Sequence, residues 1–168
     1  MKPIVVKDNF FENPEQVIDI AKSVEWLKPD ESHNWCGLRS TDLSKIDTNL
    51  NWYIVSNFLY LYYNKSDIKV DYTHVCFHKI NKEDWLNRKE YAQIHQDGTE
   101  LAGVIYLDKE HNFNNGTSIY NNEDLSIKVG SKFNRLVAYD GNFRHGISDL
   151  ENEERLSIVI FLNNIKIR

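Results

Sequence analysis

The chain has 168 residues, 41% of them hydrophobic and 12% aromatic, with a formal net charge of −5. That length fits a single domain, 1–168, with room for a sizeable core. The acidic balance disfavours nucleic acid as a partner, because non-specific binding needs a basic surface to displace counterions. The longest apolar runs, Leu59 to Tyr63 and Ile158 to Leu162, are too short to span a bilayer, which argues against a membrane partner. Met1-Lys2-Pro3-Ile4 lacks the apolar core of a signal peptide. The expectation is a cytoplasmic protein whose two cysteines, Cys36 and Cys76, stay reduced.

Ile4 to Val6 reads as a short strand. Asn13-Pro14-Glu15-Gln16 then has the pattern of a helix start, with Asn as N-cap, Pro in the first turn and Gln at the third position. Val17, Ile20, Ala21, Val24 and Leu27 follow at helical spacing, and the helix ends before Pro29. Asp30 to Ser40 is polar and irregular, with Trp35 and Arg39 standing out. Such a loop can close over a substrate, or it can be a surface loop with Trp35 tucked into the core. A second helix begins near Thr41-Asp42, because Leu43, Ile46, Leu50, Ile54 and Phe58 recur at three- or four-residue steps.

From Ile68 the period becomes two, and Lys69 to Ile80 is a strand rich in Val, Tyr, Thr and Phe. It puts His74, Cys76 and His78 on one face. The two histidine Cα atoms would lie roughly 13 Å apart, too far for easy shared ligation, so these residues line a pocket or the core. Asn81 to Glu90 is a polar, mobile-looking excursion containing Trp85. Strands are then expected at Tyr91 to His95, Leu101 to Leu107, Thr117 to Tyr120, Leu125 to Val129, Arg135 to Tyr139 and Arg155 to Leu162. Gly98, Asn114-Asn115-Gly116, Gly130 and Asp140-Gly141-Asn142 supply turns between them. Two helices followed by closely spaced strands indicate an α+β domain on an antiparallel sandwich or jelly roll.

His95-Gln96-Asp97 ends one of those strands, so the imidazole and the carboxylate share a face. Arg144-His145-Gly146 offers a second histidine after several intervening strands. Two histidines and a carboxylate on one side of a metal make the facial triad of non-haem Fe(II) oxygenases, which leaves open coordination positions. Charge balance extends the pattern. A ferrous ion, one aspartate and a dicarboxylate cosubstrate sum to −1, which the Arg155 guanidinium would neutralise, its planar fork holding a carboxylate by two hydrogen bonds. Ser157 lies on the same face of the strand as Arg155, and Tyr106 can add a phenol from a neighbouring strand.

These residues resemble the Fe(II)/2-oxoglutarate-dependent oxygenases, particularly the compact prolyl-hydroxylase-like branch. Asp8-Asn9-Phe10-Phe11 with the helix after Asn13 is similar to that branch's N-terminal segment, and His95-x-Asp97 to its paired iron ligands. Asn115-Gly116-Thr117-Ser118-Ile119-Tyr120 is similar to a G-G-x-hydrophobic-x-aromatic stretch, with Asn in place of the first Gly. Arg135 to Tyr139 leading to His145-Gly146 resembles the segment bearing the distal ligand, and Arg155-Leu156-Ser157 the R-x-S anchor. The resemblance implies a double-stranded β-helix (a cupin-like jelly roll) with two supporting N-terminal helices. It implies iron on His95, Asp97 and His145, and 2-oxoglutarate held by Arg155 with Tyr106 and Ser157.

The implied reaction uses O₂ and couples decarboxylation of 2-oxoglutarate to succinate with hydroxylation of a protein or peptide side chain, an amino acid or a small molecule. Asp97 argues against halogenation, since halogenating relatives carry a small residue there, while demethylation following hydroxylation stays open. Many prolyl hydroxylases carry lysine where Arg155 stands. A further cosubstrate contact that this branch makes from before the H-x-D strand falls to His78 or Tyr91. Substrate contacts are expected from Trp35, Arg39 and the Asn81 to Glu90 excursion. The competing readings are a non-catalytic jelly-roll binding module and a cupin-like metalloenzyme that does not use 2-oxoglutarate.

Overall fold

The computed structural model describes residues 3–30, 35–87, 94–121, 124–147 and 149–168. After strand β1 (Val5–Lys7), helix α1 runs over Pro14–Ser23. The fixed φ of Pro14 sets the first turn, while the expected Asn13 side-chain cap is not made. The helix stops earlier than the apolar spacing suggests because Val24 turns extended, with ψ of 152°. Leu27, expected on its face, instead exchanges backbone hydrogen bonds with Arg39 at 2.7 and 3.0 Å. That contact draws Leu38–Arg39 into a two-residue strand, β2, inside the stretch expected to be a loop.

The second helix is two helices, α2 (Leu43–Ile46) and α3 (Thr48–Tyr63). Asp47 breaks the run: its backbone is extended, and its carboxylate accepts from the Leu50 amide to cap α3. Asp42 caps α2 in the same way through the Ser44 amide. The periodicity sees only apolar faces, and both helices bury the same side, so a break made by a capping aspartate leaves the pattern intact.

β3 (Ile68–Asn81) is followed by α4 (Lys82–Asn87), where a polar excursion was expected. Acidic Glu83 and Asp84 suit its first turn, and buried Trp85 anchors it. The remaining strands are β4 (Leu101–Tyr106), β5 (Thr117–Asn121), β6 (Asp124–Val129), β7 (Arg135–Tyr139), β8 (Arg144–Gly146) and β9 (Glu154–Ile167). Of the expected strand Tyr91 to His95, residues 91–93 lie outside the described residues, and His95 makes a single antiparallel bridge to His145.

The strands form two antiparallel sheets. The larger has the order β1-β7-β4-β9-β3-β2 and the smaller β6-β5-β8. After β4 the chain moves to β5 and β6 of the small sheet, back to β7, across to β8 and back to β9. The pleat then divides the large sheet into two faces. Phe77, Leu101, Ile105, Leu136, Ile158 and Ile160 face α1, α2 and α3, joined by Leu43, Ile54 and Phe58 from the helices. Cys76, Ala102, Val104, Tyr106, Val137, Tyr139 and Val159 face the small sheet and meet Ile119. The functional residues lie among this second set.

Two local features yield stability predictions. Helix α3 approaches β4 so closely that a Cβ on Gly103 would lie 2.4 Å from the Phe58 ring and 3.0 Å from the Val137 carbonyl oxygen. Gly103→Ala should cost about 1–3 kcal/mol by overpacking, read as a fall of several degrees in thermal denaturation. An unchanged midpoint would show that the helix yields freely.

Asp108 follows β4 and accepts from the Leu156 amide at 2.7 Å through Oδ1, while its buried Oδ2 has no partner. Burial pushes its carboxyl up to about 6. A carboxyl raised on folding destabilises the fold when ionised, so the penalty is complete above about pH 6 and fades as pH falls towards the unfolded value near 4. Asp108→Asn keeps the acceptor for Leu156. It should be more stable than the parent by about 1–3 kcal/mol at pH 8, with the difference shrinking towards zero near pH 4. A difference independent of pH would contradict this account.

Candidate metal centre and cosubstrate pocket

The site is assembled by backbone pairing between segments remote in sequence. His95 and His145 exchange N–H···O bonds at 2.9 Å each, and the Asp97 amide donates to the Gly141 carbonyl at 2.9 Å. Residues opposed in an antiparallel bridge point to the same side, as do residues two apart on one strand. The bridge therefore brings His95, Asp97 and His145 onto one face. Gly98 follows at φ +67°, a left-handed conformation that turns the chain away directly after the ligand segment. The Gln96 side chain donates to the Asn142 carbonyl at 2.6 Å and ties the same two segments a third time.

One ligand atom from each of His95, Asp97 and His145 lies within 4.8 Å of the others. His145 Nε2 is 3.2 Å from Asp97 Oδ2, and His95 Nε2 is 3.5 Å from Asp97 Oδ1. Adjacent ligands of an ion with bonds of about 2.0–2.2 Å sit about 3 Å apart, so the spacing suits one cation. His145 Nδ1 lies 2.8 Å from the Phe143 carbonyl oxygen. A carbonyl only accepts, so Nδ1 carries the proton and the Nε2 lone pair is left for a metal. That lone pair then faces Asp97 Oδ2, which is buried without a hydrogen-bond partner. An orphaned carboxylate oxygen opposite an imidazole lone pair is an arrangement that a cation relieves. Burial by itself would raise the Asp97 carboxyl; positive charge on the His145 and His95 side outweighs it and holds the group below the usual range, whether that charge is a proton on the imidazoles or a cation held between them. Asp97 is ionised, as a ligand must be. The Tyr139 ring packs 4.6 Å from the His145 ring and fixes its plane from behind.

These residues open into a cavity of about 1020 Å³ that also reaches Arg155 and, on the β2–β3 side, Trp35, Arg39 and His78. Arg155 is 3% exposed. Its Nε donates to the Asn115 carbonyl at 3.0 Å, Nη1 reaches Ser157 Oγ at 3.5 Å, and the guanidinium lies 5.3 Å from the Tyr106 ring centroid. It has no ion pair with a carboxylate among the described residues. Ser157 Oγ also donates to the His78 carbonyl at 3.4 Å. The Tyr106 hydroxyl pairs with Thr117 Oγ1 at 2.6 Å, joining the two sheets behind Arg155.

The eight site residues named from sequence thus fall on the inner face or at the cavity rim. Strand register explains the grouping: Arg39 opposes His78, His78 opposes Ser157, and Ser157 opposes Tyr106. Of the two candidates for an extra cosubstrate contact, His78 lines the cavity, and Tyr91 lies outside the described residues. His78 is buried and donates Nε2–H to the Cys36 carbonyl at 2.6 Å. Burial, then the Arg39 charge, holds it neutral. His74 pairs with Asp42 at 3.1 Å and stacks on Phe161, so the pair His74 and His78 makes no joint metal site. Sequence reading did not assign roles to Tyr139 or Thr117. Both sit at inward positions of their strands, which is the signal that could have marked them.

No protein-family profile and no curated protein sequence matches the chain. Solved structures do. A prolyl hydroxylase from Trichoplax adhaerens, in complex with a hypoxia-inducible-factor peptide, aligns with a TM-score of 0.66 at 12% identity, over 98% of this chain and 84% of that one. HygX from Streptomyces hygroscopicus, with nickel, 2-oxoglutarate and hygromycin B bound, gives 0.64 at 11% identity, over 96% and 83%. A prolyl-4-hydroxylase from Pseudomonas putida gives 0.58 at 11% identity, over 95% and 91%. The chain therefore shares the jelly-roll fold of these 2-oxoglutarate oxygenases.

Proposed function

We propose that the protein is an Fe(II)- and 2-oxoglutarate-dependent dioxygenase, a hydroxylase of a side chain, amino acid or small molecule. Its two sheets correspond on this reading to a double-stranded β-helix supported by α1 and the α2–α3 pair, in one domain. The observation that carries the proposal is the convergence, in one cavity, of a two-histidine, one-carboxylate donor set and a buried arginine with no carboxylate partner among the described residues. The donor set suits ferrous iron with open positions. The arginine suits a second, negatively charged ligand. A cupin-like metalloenzyme without a keto acid would leave that buried cation unexplained, and a binding module would not need the donors. Cys36 and Cys76 are buried thiols outside any disulfide, which supports the reading of a reducing, cytoplasmic setting.

In this mechanism His95, Asp97 and His145 hold the iron. The Phe143 carbonyl fixes the His145 tautomer, and ionised Asp97 contributes one negative charge. Arg155 holds the distal carboxylate of 2-oxoglutarate with its free guanidinium edge, while the Asn115 carbonyl and Ser157 keep that edge aimed into the cavity. Tyr106, linked to Thr117, backs the guanidinium. Bound iron and 2-oxoglutarate supply the oxidising chemistry, consuming O₂ and releasing succinate and CO₂. The apolar inner face, with Val104 and Val159, keeps bulk water from the reacting end. Trp35 and Arg39 at the opposite side contact the substrate.

Anaerobic titration with Fe(II) and 2-oxoglutarate tests this directly. A weak visible charge-transfer band should develop at one equivalent of each. Asp97→Ala and His145→Ala should abolish it. Arg155→Ala should weaken 2-oxoglutarate by about 10- to 100-fold, the worth of a charged hydrogen-bond pair. Absence of the band in the parent protein, or full cosubstrate affinity in Arg155→Ala, would contradict the proposal.

A further inference from the structure

The cavity contains a second arginine, Arg39, that makes no ion pair among the described residues. β2 sets Arg39 opposite His78, on the face that carries Ser157 and Tyr106. Its guanidinium carbon lies 4.7 Å from the Trp35 ring centroid and 5.4 Å from that of Phe161. Aromatic faces attract a cation but do not satisfy its in-plane N–H donors. Arg39 Nε is buried and has no hydrogen-bond partner, and no ion pair reaches the side chain among the described residues.

Among the described residues, the groups around Arg39 are neutral or already engaged. Cys76 lies beside it, and burial pushes that thiol up to about 11, so it stays uncharged. His78 is neutral and occupied with the Cys36 carbonyl. Asp42, on α2, divides its oxygens among the Ser44 amide, the Val75 amide and His74. Asp97 attracts Arg39 across the cavity but is committed to the metal-ligand cluster. At the rim, Lys28, Lys45 and Asp30 are exposed. With iron, Asp97, 2-oxoglutarate and Arg155 in place, the inner site is already neutral. Arg39, half-buried with its Nε fully enclosed, then adds one positive charge that has no carboxylate of its own among the described residues, a costly arrangement unless a ligand supplies the anion.

We propose that Arg39 binds the carboxylate of the substrate, so that this site oxidises a small carboxylic acid. The inference rests on the oxygenase reading above and names the substrate class for it. A monoanionic carboxylate balances the single charge and matches the planar fork by two hydrogen bonds. A dianionic phosphate would leave one negative charge over. Trp35, which already stacks on Arg39, offers an apolar wall to the part of the substrate next to the carboxylate. The remainder of the substrate extends across the cavity towards His95, Asp97 and His145.

The test is calorimetric titration of anaerobic protein loaded with Fe(II) and 2-oxoglutarate. The probes are N-acetylated amino acids and short aliphatic and aromatic acids, each matched with its carboxamide, together with tripeptides ending in a free or amidated carboxyl. At least one acid should bind at least about tenfold more tightly than its amide, as expected for charged hydrogen bonds. Arg39→Gln should erase that preference, and Arg39→Lys, which keeps charge without the fork, should retain part of it. Circular dichroism checks that both variants fold. Preference for the tripeptide acid over the single residues would identify the carboxylate as a peptide C-terminus and overturn the small-molecule assignment. Equal binding of acids and amides, no binding by any acid, or an undiminished preference in Arg39→Gln would overturn the proposal. So would a loss of 2-oxoglutarate in Arg39→Gln as large as in Arg155→Ala. Failure of the parent protein to bind 2-oxoglutarate would overturn the oxygenase reading itself, which is a separate result.

Discussion

The site depends on one backbone contact, the antiparallel bridge between His95 and His145. Everything that makes the cluster a ligand set follows from it. Reciprocal N–H···O bonds place two imidazoles on one face, and the Asp97 amide bond to Gly141 continues the pairing by one more step. Side-chain attraction alone could not do this, because a carboxylate between two imidazoles is held together by charge only when a cation or proton is present. The bridge gives the cluster its geometry in advance, which lowers the ordering cost of binding a metal. The strand-to-strand crossing between sheets then sets this bridge against the inner face of the large sheet, where Arg155 and Arg39 reside.

The second organising constraint is charge. The inner face is mostly apolar, yet it carries the guanidinium groups of Arg155 and Arg39 and the Asp97 carboxylate. Arg155 is fastened by the Asn115 carbonyl and Ser157, so its position is fixed while its charge is not matched. Arg39 lies between the Trp35 and Phe161 rings and makes no ion pair among the described residues. The difference in fastening suits different tasks: a rigid anchor for a constant cosubstrate, and a stacked but less tethered cation for a group that comes and goes. His78, on the strand between β2 and β9, feels both cations and stays neutral, so it adds no third charge.

Much of this was legible in the sequence, for identifiable reasons. Alternation on a strand is enough to pair His95 with Asp97 and Arg155 with Ser157, and the order of segments brought His145 into the same set. The long strands declared themselves through β-branched and aromatic content, and Leu101 to Leu107, Arg135 to Tyr139 and Thr117 to Tyr120 closely match observed β4, β7 and β5. What escaped were features set by single polar contacts or by partners far along the chain. Asp47 splits one apolar periodicity into two helices. Leu38–Arg39 becomes a strand only because Leu27 and β3 are beside it. The Lys82–Asn87 helix is too short for periodicity to register, and buried Trp85 anchors it. Arg39 could be singled out from sequence, but its lack of a partner is a property of the packed cavity and has no local signature.

A crystal structure of the protein with Mn(II), 2-oxoglutarate and no oxidisable substrate would test the central claim most directly. The account predicts one ion coordinated by His95, Asp97 and His145, with the distal carboxylate of 2-oxoglutarate forked onto Arg155 and Arg39 left facing open cavity. An ion bound elsewhere, or a cosubstrate carboxylate seated on Arg39 with Arg155 untouched, would contradict it.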